Sequence, residues 1–225
     1  TLTVSADLNT AWAGTKAGRI IRIIGLLNAH DSATSNVFSS QCVLSDTVFA
    51  NTPFSGRFVT SISINPAHTN QVMITLGNYG NQDYVYFTQN GNDPVPNFTS
   101  IQTNLPHVPV YSGLIEMSGN NNAIIGTDLG IYSTTNLSSG NPVWDPDIQK
   151  IGDVPVTEIR QQVINDFHIQ NYGVIYLGSY GRGIWMDDTT FYIPMSVEPV
   201  YKKPAIYGSL QLSPNPVMDN LAVSY

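Results

Sequence analysis

The chain has 225 residues, only 11% of them charged, and 16 acidic against 9 basic side chains leave a formal net charge of −7. No basic run exceeds Lys202-Lys203, which excludes nucleic acid and anionic membrane as partners, and no apolar stretch approaches the ~20 residues of a membrane span. Gly, Pro, Asn, Ser and Thr are abundant and Tyr occurs 12 times, a composition of short strands and tight turns rather than of helices.

In chain order, Thr1-Leu2-Thr3-Val4 reads as a weak opening strand. Ala11-Trp12-Ala13-Gly14-Thr15-Lys16-Ala17-Gly18-Arg19-Ile20 then reads as strand, glycine turn, strand. The single Cys42 has no partner for an internal disulfide and no neighbouring His in sequence, so it reads as a small buried apolar residue. Phe58 to Ile64 alternates Ile62 and Ile64 against Ser61 and Ser63, the period of a half-buried strand, and Asn65-Pro66 ends it. Val72 to Gly77 follows, then a long turn from Asn78 to Asp83, the strand Tyr84-Val85-Tyr86-Phe87 and a fourth strand at Phe98 to Ile101.

The same order returns twice. Val110 to Met117 opens a third unit, Ala123 to Tyr132 is its glycine hairpin, and Val143-Trp144 its fourth strand. Val156 to Ile169 opens a fourth unit whose hairpin is Val174 to Trp185. Aligning Gly14, Gly77, Gly126 and Gly178 gives steps of 63, 49 and 52 residues. Glycine at these turns is expected where the backbone needs positive φ. Four short strands every ~50 residues predict an all-β chain of propeller blades, each of four antiparallel strands. The expected blades are residues 1–52, 53–105, 106–151 and 152–190. Because Thr1 opens in mid-pattern, they are read as the C-terminal blades of a longer propeller.

Asn104-Leu105-Pro106-His107-Val108-Pro109-Val110-Tyr111, with Ile125 to Asn136, resembles sialidase-type propellers bearing Asp-box (BNR) repeats. Ser179-Tyr180-Gly181-Arg182-Gly183-Ile184-Trp185 resembles the last blade of that group, which includes sortilin-like and xyloglucanase-like propellers. The box is degenerate: Phe87-Thr88-Gln89-Asn90-Gly91 and Ser133-Thr134-Thr135-Asn136 carry Asn where the family has Asp. In that family the box is a structural turn, not a catalytic site.

Residues 191–208, with Pro199 and Pro204, read as an extended linker. From 209 to 225 the chain reads as the incomplete beginning of a small β-sandwich, with the turn Pro214-Asn215-Pro216 before Leu221-Ala222-Val223. This motif resembles the type A C-terminal sorting domain of type IX secretion substrates in the Bacteroidetes. That resemblance implies passage through the periplasm to the medium or the outer cell surface, with the type IX translocon and shuttle proteins as partners. Asp31-Ser32-Ala33, Asp46-Thr47-Val48 and Asp188-Thr189-Thr190 match the short O-glycosylation pattern of the same phylum, with Ser32, Thr47 and Thr189 as acceptors.

In a four-stranded blade the second-to-third turn and the blade-to-blade connection emerge on one side. That side is expected to collect Lys16, Arg57, Tyr79, Asp83, His107, Asp128, Tyr180 and Arg182, a mixture suited to a sugar or peptide ligand. Asp83 and Asp128 are the only candidate acid pair for glycoside hydrolysis, and turn aspartates commonly cap their own backbone. Arg57 and Arg182 fall short of the arginine cluster a sialidase needs, and the sialidase Arg-Ile-Pro signature is absent. Asp187-Asp188 and Asp145-Pro146-Asp147 lack the donor density of a calcium loop; His30, His68, His107 and His168 lack metal spacing. No phosphate or dinucleotide motif occurs, so no cofactor or metal is expected. The expectation is a secreted or cell-surface binding or adhesion module with a glycan or protein ligand; the alternative is a polysaccharide-active hydrolase.

Overall fold

The computed structural model describes residues 1–31, 34–38, 45–49, 52–118, 121–146, 151–164 and 171–188. Its first sheet has the order β1 (Leu2–Val4), β2 (Thr10–Gly14), β3 (Ile20–Ile24) and β6 (Ser45–Phe49), while β4 (His30–Asp31) and β5 (Thr34–Phe38) form a small hairpin between β3 and β6. The second sheet is β7 (Val59–Ile64), β8 (Val72–Leu76), β9 (Val85–Thr88) and β10 (Thr99–Ser100). The third is β11 (Val110–Ile115), β12 (Ala123–Thr127), β13 (Gly130–Thr134) and β14 (Asp145–Pro146). The fourth is β15 (Val156–Gln161), β16 (Ile175–Ser179) and β17 (Gly183–Asp187). All pairings are antiparallel. The only helical turns among the described residues are 3₁₀ pieces at Leu26–Asn28 and Leu137–Ser139. This is an all-β chain of propeller blades. The fourth strand of the third sheet lies at Asp145–Pro146, two residues beyond the expected Val143-Trp144.

Successive sheets meet face to face, with the first strand of each beside the first strand of the next. Hydroxyls stitch these inner strands together. Thr60 Oγ1 donates to the Val110 carbonyl at 2.6 Å, the Ile115 N–H donates to Ser63 Oγ at 2.8 Å, and the Ile159 N–H donates to Ser112 Oγ at 3.0 Å. The serines that alternate with isoleucine thus serve the next sheet's unpaired backbone, which burial would otherwise leave without partners. Between the sheets, Trp12, Phe54, Met73, Ile74, Ile101, Ile115, Ile125 and Trp144 are fully buried.

Pairing register corrects the glycine alignment. Leu2–Ala13, Val59–Leu76, Val110–Thr127 and Val156–Ser179 are corresponding pairs, so the residues that follow β2's Ala13, Leu76, Thr127 and Ser179 correspond: Gly14, Gly77, Asp128 and Tyr180. Each donates its N–H to the residue before its own inner strand: Thr1 at 3.0 Å, Phe58 at 2.8 Å, Pro109 at 3.1 Å and Pro155 at 2.8 Å. Gly126 and Gly178 lie two residues earlier, inside β12 and β16. None of the four aligned glycines has positive φ. At Gly14 and Gly126 the requirement is close approach: a Cβ would fall 2.4 Å from Val59 Cγ1 or 2.6 Å from the Val156 carbonyl oxygen, both in the next sheet. Positive φ is needed a few residues later, at Gly18 (+75°) and Gly130 (+90°).

The inner strands β7, β11 and β15 each carry a bulge at one place, with Thr60, Tyr111 and Thr157 as the extra residue.

Candidate functional site

Lys16, Tyr79, Asp128, Tyr180 and Arg182 lie in second-to-third turns, Asp83 near the end of the β8–β9 turn, and Arg57 and His107 in the connections between sheets. The site centres on Asp128, the first residue after β12. Its Oδ1 accepts the Tyr111 hydroxyl at 2.9 Å, and its Oδ2 accepts the Tyr79 hydroxyl. Tyr79 comes from the β8–β9 turn of the second sheet and is 65% exposed, so the contact joins two blades and leaves an aromatic face to solvent. Tyr111 reaches the same carboxylate because it is the bulged residue of β11. Partial burial and then the Asp128 hydrogen bond push its phenol up to about 12; for Tyr79 the Asp128 hydrogen bond is the leading cause of an upward shift. Both phenols therefore stay protonated donors across the physiological range.

Of the eight expected rim residues, Tyr79 and Asp128 are the pair the fold bonds side chain to side chain among the described residues. Arg57 turns toward its own sheet: it bonds the Asp83 carbonyl, lies 3.2 Å from the Tyr86 hydroxyl, and sits over the Tyr84 and Tyr86 rings at 5.8 and 5.9 Å. That guanidinium braces the 78–83 turn. His107 bonds the Gln82 carbonyl through Nδ1 and braces the same turn from the next connection. Lys16 is exposed at the β2–β3 turn, and Tyr180 is 75% exposed at the β16–β17 turn. Arg182 lies over Gly152, where a Cβ would stand 3.3 Å from its Nη1. Asp83 contributes its backbone to Arg57, and among the described residues no second carboxylate bonds to Asp128.

Inside the rim, the inner strands border a cavity of about 210 Å³ walled by Thr60, Ser61, Tyr111, Ser112, Glu158 and Arg160. Glu158 Oε1 and Arg160 Nε are 2.8 Å apart, an exposed pair that contributes little to stability. Tyr111, Glu158 and Arg160 were not expected in a site. Strict alternation hides Tyr111, which stands directly after Val110 as Thr60 and Thr157 stand after Val59 and Val156, and nothing in the sequence singles out Glu158 or Arg160.

At the opposite end of the blades the Asn turns are built alike. Thr88 Oγ1 donates to Asn90 Oδ1 and Thr134 Oγ1 to Asn136 Oδ1, each at 2.7 Å. The same oxygens accept the N–H of Asn97 at 2.9 Å and of Val143 at 3.1 Å. Between the third and fourth sheets lies a second cavity, of about 390 Å³, lined by Glu116, Ile124, Ile131, Ile151, Ile175 and Trp185 among others. Glu116 is only 1% exposed; its Oε1 accepts the Ser118 N–H at 3.0 Å and Gln161 Nε2 at 3.2 Å. No group of three or more metal-ligating side chains occurs among the described residues, and no helix there is long and apolar enough to cross a membrane. Thr47 lies on β6, and Asp145 is exposed on β14. Cys42, Ser32, His168, Asp147, Thr189 and Pro214, Asn215 and Pro216 lie outside the described residues.

No family's sequence pattern matches the chain, and no curated protein sequence does. Solved structures do match in fold. An ancestral GH74 enzyme superposes with a TM-score of 0.50 at 18% identity, covering 80% of this chain and 21% of that one. The β-propeller domain of Myceliophteria thermophila Cps50 (Swd1) gives 0.48 at 10% identity, covering 79% and 48%. YCF48, solved bound to D1 peptide, gives 0.48 at 14% identity, covering 80% and 46%. The chain spans less than half the length of each of these proteins, and at such identities the likeness concerns the fold alone.

Proposed function

We propose that this chain is the ligand-binding portion of an exported β-propeller, a surface or secreted adhesion module whose rim takes a glycan. The observation that carries this reading is the state of Asp128. Its carboxylate accepts two phenol hydroxyls at once, from Tyr79 and Tyr111, while the Tyr79 ring stays open to solvent. A flat aromatic face beside a fixed acceptor suits a sugar ring, with stacking on Tyr79 and a sugar hydroxyl bonded at Asp128. The exposed Tyr180 ring and Lys16 extend the same rim. Among the described residues no second carboxyl is bonded beside Asp128, and a glycosidase needs a second carboxyl at controlled distance. Binding is therefore favoured over hydrolysis.

The test is affinity electrophoresis of the full-length chain through gels containing soluble neutral polysaccharides, alongside a reducing-sugar assay. Retardation by at least one polysaccharide is expected, weakened about tenfold in Tyr79→Ala and Asp128→Ala, a loss typical of a central aromatic or buried polar contact. Unretarded wild-type protein rejects the binding reading. Sugar release that Asp128→Asn abolishes replaces it with hydrolysis.

The export half of the proposal rests on the Pro214-Asn215-Pro216 turn and its likeness to a type A sorting domain. Fusing the complete C-terminal module to a foreign periplasmic protein should carry it out of a bacterium with a type IX system. Normal secretion of the protein without that module contradicts the idea.

A further inference from the structure

The turns around Tyr79 and Asp128 are joined to their neighbours by backbone contacts. The β2–β3 turn carries Lys16 and Arg19, both exposed, and its Ala17 carbonyl accepts the Gly56 N–H at 2.8 Å. Its Gly18 lies against the Phe54 carbonyl, where no Cβ would fit. The connection that holds Phe54 and Gly56 continues to Arg57, whose Nη2 donates to the Asp83 carbonyl in the turn bearing Tyr79. Tyr79 then bonds Asp128. Beyond Asp128, Gly130 faces the next connection: a Cβ there would stand 2.9 Å from the Gly152 carbonyl oxygen, and Arg182 of the fourth sheet lies over Gly152. These contacts make one continuous strip across four sheets, in the order cation pair, aromatic ring, carboxylate, cation.

The charge of the strip runs against that of the chain, which is −7. Lys16, Arg19 and Arg182 are exposed, and among the described residues no carboxylate pairs with them. Asp153 is the one exposed carboxylate in the same turns and connections among the described residues. At the other end of the blades Asp7, Asp93, Asp145 and Asp188 are exposed. The only Lys or Arg there among the described residues is Arg22, which is buried with its Nη1 donating to the Asp93 carbonyl at 2.8 Å. Exposed charges separated by more than about 8 Å are largely screened at physiological salt. A ligand on the strip therefore feels its three cations rather than the acidic far end.

We infer that the strip takes an anionic glycan. A polysaccharide chain lies along the turns with one ring on Tyr79 and Asp128, and acidic groups of its other units meet Lys16 and Arg19 on one side and Arg182 on the other. This rests on the glycan-binding reading and adds the charge of the ligand and its course across the blades. Uronic-acid carboxylates and sulfate esters share the chemistry, since ammonium and guanidinium groups are charge-assisted donors to both.

The test is affinity electrophoresis of the full-length chain in paired gels: polygalacturonate against its carboxyl-reduced polymer, and dextran sulfate against dextran. Each mobility is taken relative to a gel without polysaccharide. At least one anionic polymer should retard the wild type about tenfold more strongly than its neutral partner, and the pair that does so separates carboxylate from sulfate. The excess should vanish between about 0.1 and 1 M NaCl, as the screening length falls from about 10 to 3 Å. Lys16→Gln/Arg19→Gln and Arg182→Gln should each lower the excess about threefold, the effect of losing an exposed charge contact, and leave the neutral polymer unaffected. Arg182→Lys should keep most of it. Asp145→Asn/Asp188→Asn makes the chain less negative at the far end and should change nothing.

Equal retardation by both members of each pair overturns the inference and leaves the binding reading intact; retardation by none of the four rejects both. An equal loss on anionic and neutral polymers in the Gln variants assigns the three side chains to turn structure, which also overturns it. So does an excess that Asp145→Asn/Asp188→Asn raises, because net charge alone would then explain the effect.

Discussion

The two ends of the blades use the same kinds of residue in opposite ways. At the Asn-turn end, each polar group has a fixed internal partner, and the aromatic ring beside it is buried. Asn136 takes the Thr134 hydroxyl and the Val143 N–H, and Asn104 brackets Trp144 through both its N–H, at 2.9 Å, and its carbonyl, at 2.7 Å. At the rim, Asp128 also has two donors, but both are side chains and one ring stays exposed. The lesson is that an amide or carboxylate in a turn is structural when it serves its neighbours' backbone. It is available for binding when it serves other side chains. Arg57 falls on the structural side despite its rim position, because it bonds the Asp83 carbonyl.

Four measurements sharpen or break this contrast. The largest effect belongs to Trp144→Ala, which should destabilise the chain by about 3–5 kcal/mol in denaturant unfolding, the range for deleting a fully buried large aromatic. A loss below about 1 kcal/mol would show that the cleft closes without the ring. Asn136→Ala should cost about 1 kcal/mol, the net worth of the Thr134 and Val143 hydrogen bonds it removes. Asn136→Asp should stay close to wild type, since the side-chain oxygen only accepts there. Tyr79→Phe should change stability by less than about 0.5 kcal/mol, as expected for a surface contact, while weakening ligand binding. A large stability loss would move Tyr79 to the structural class.

The smallest effect is the pH dependence at Tyr111. Its folded pKa is raised to about 12, above the unfolded value near 10. The unfolded chain therefore releases that proton first. The stabilisation is complete below pH ~10 and disappears as pH rises toward 12. Ultraviolet titration should resolve late phenols in the wild type, and those of Tyr111 and Tyr79 should move earlier in Asp128→Asn. An unshifted titration in that variant would leave burial as the sole cause.

Much of the fold was legible in the sequence, because blade strands alternate locally and their hairpins are short. Ile62 and Ile64 against Ser61 and Ser63 mark the buried face of β7 without any long-range information. The reason for the glycines was not legible. Gly14 and Gly126 are small because the next sheet's Val59 and Val156 press against them, a contact between residues 45 and 30 positions apart. The candidate site was legible as a rim but not as a set of bonds. Tyr79 and Asp128 were placed on one side by topology alone. Tyr111 was missed because a bulge changes which way a side chain points, and the position after Val59, Val110 and Val156 shows itself as a bulge only once the pairing register is seen. The inward turn of Arg57 and His107 depends on carbonyls of the folded 78–83 turn, which exist as a target only after that turn forms.

The repeated bulge also separates what must stay constant in a blade from what is free to vary. Strand pairing resumes on either side of it, so the core-facing residues keep their phase whatever occupies the extra position. Thr60, Tyr111 and Thr157 fill that position with two hydroxyls that bond carbonyls and one phenol that reaches a carboxylate 17 residues along, at the end of the next strand. The second, third and fourth sheets thus each have a socket on the inner strand that accepts a new side chain without repacking the sheet. A row of such sockets allows the chemistry along the inner strands to drift sheet by sheet while the architecture stays still.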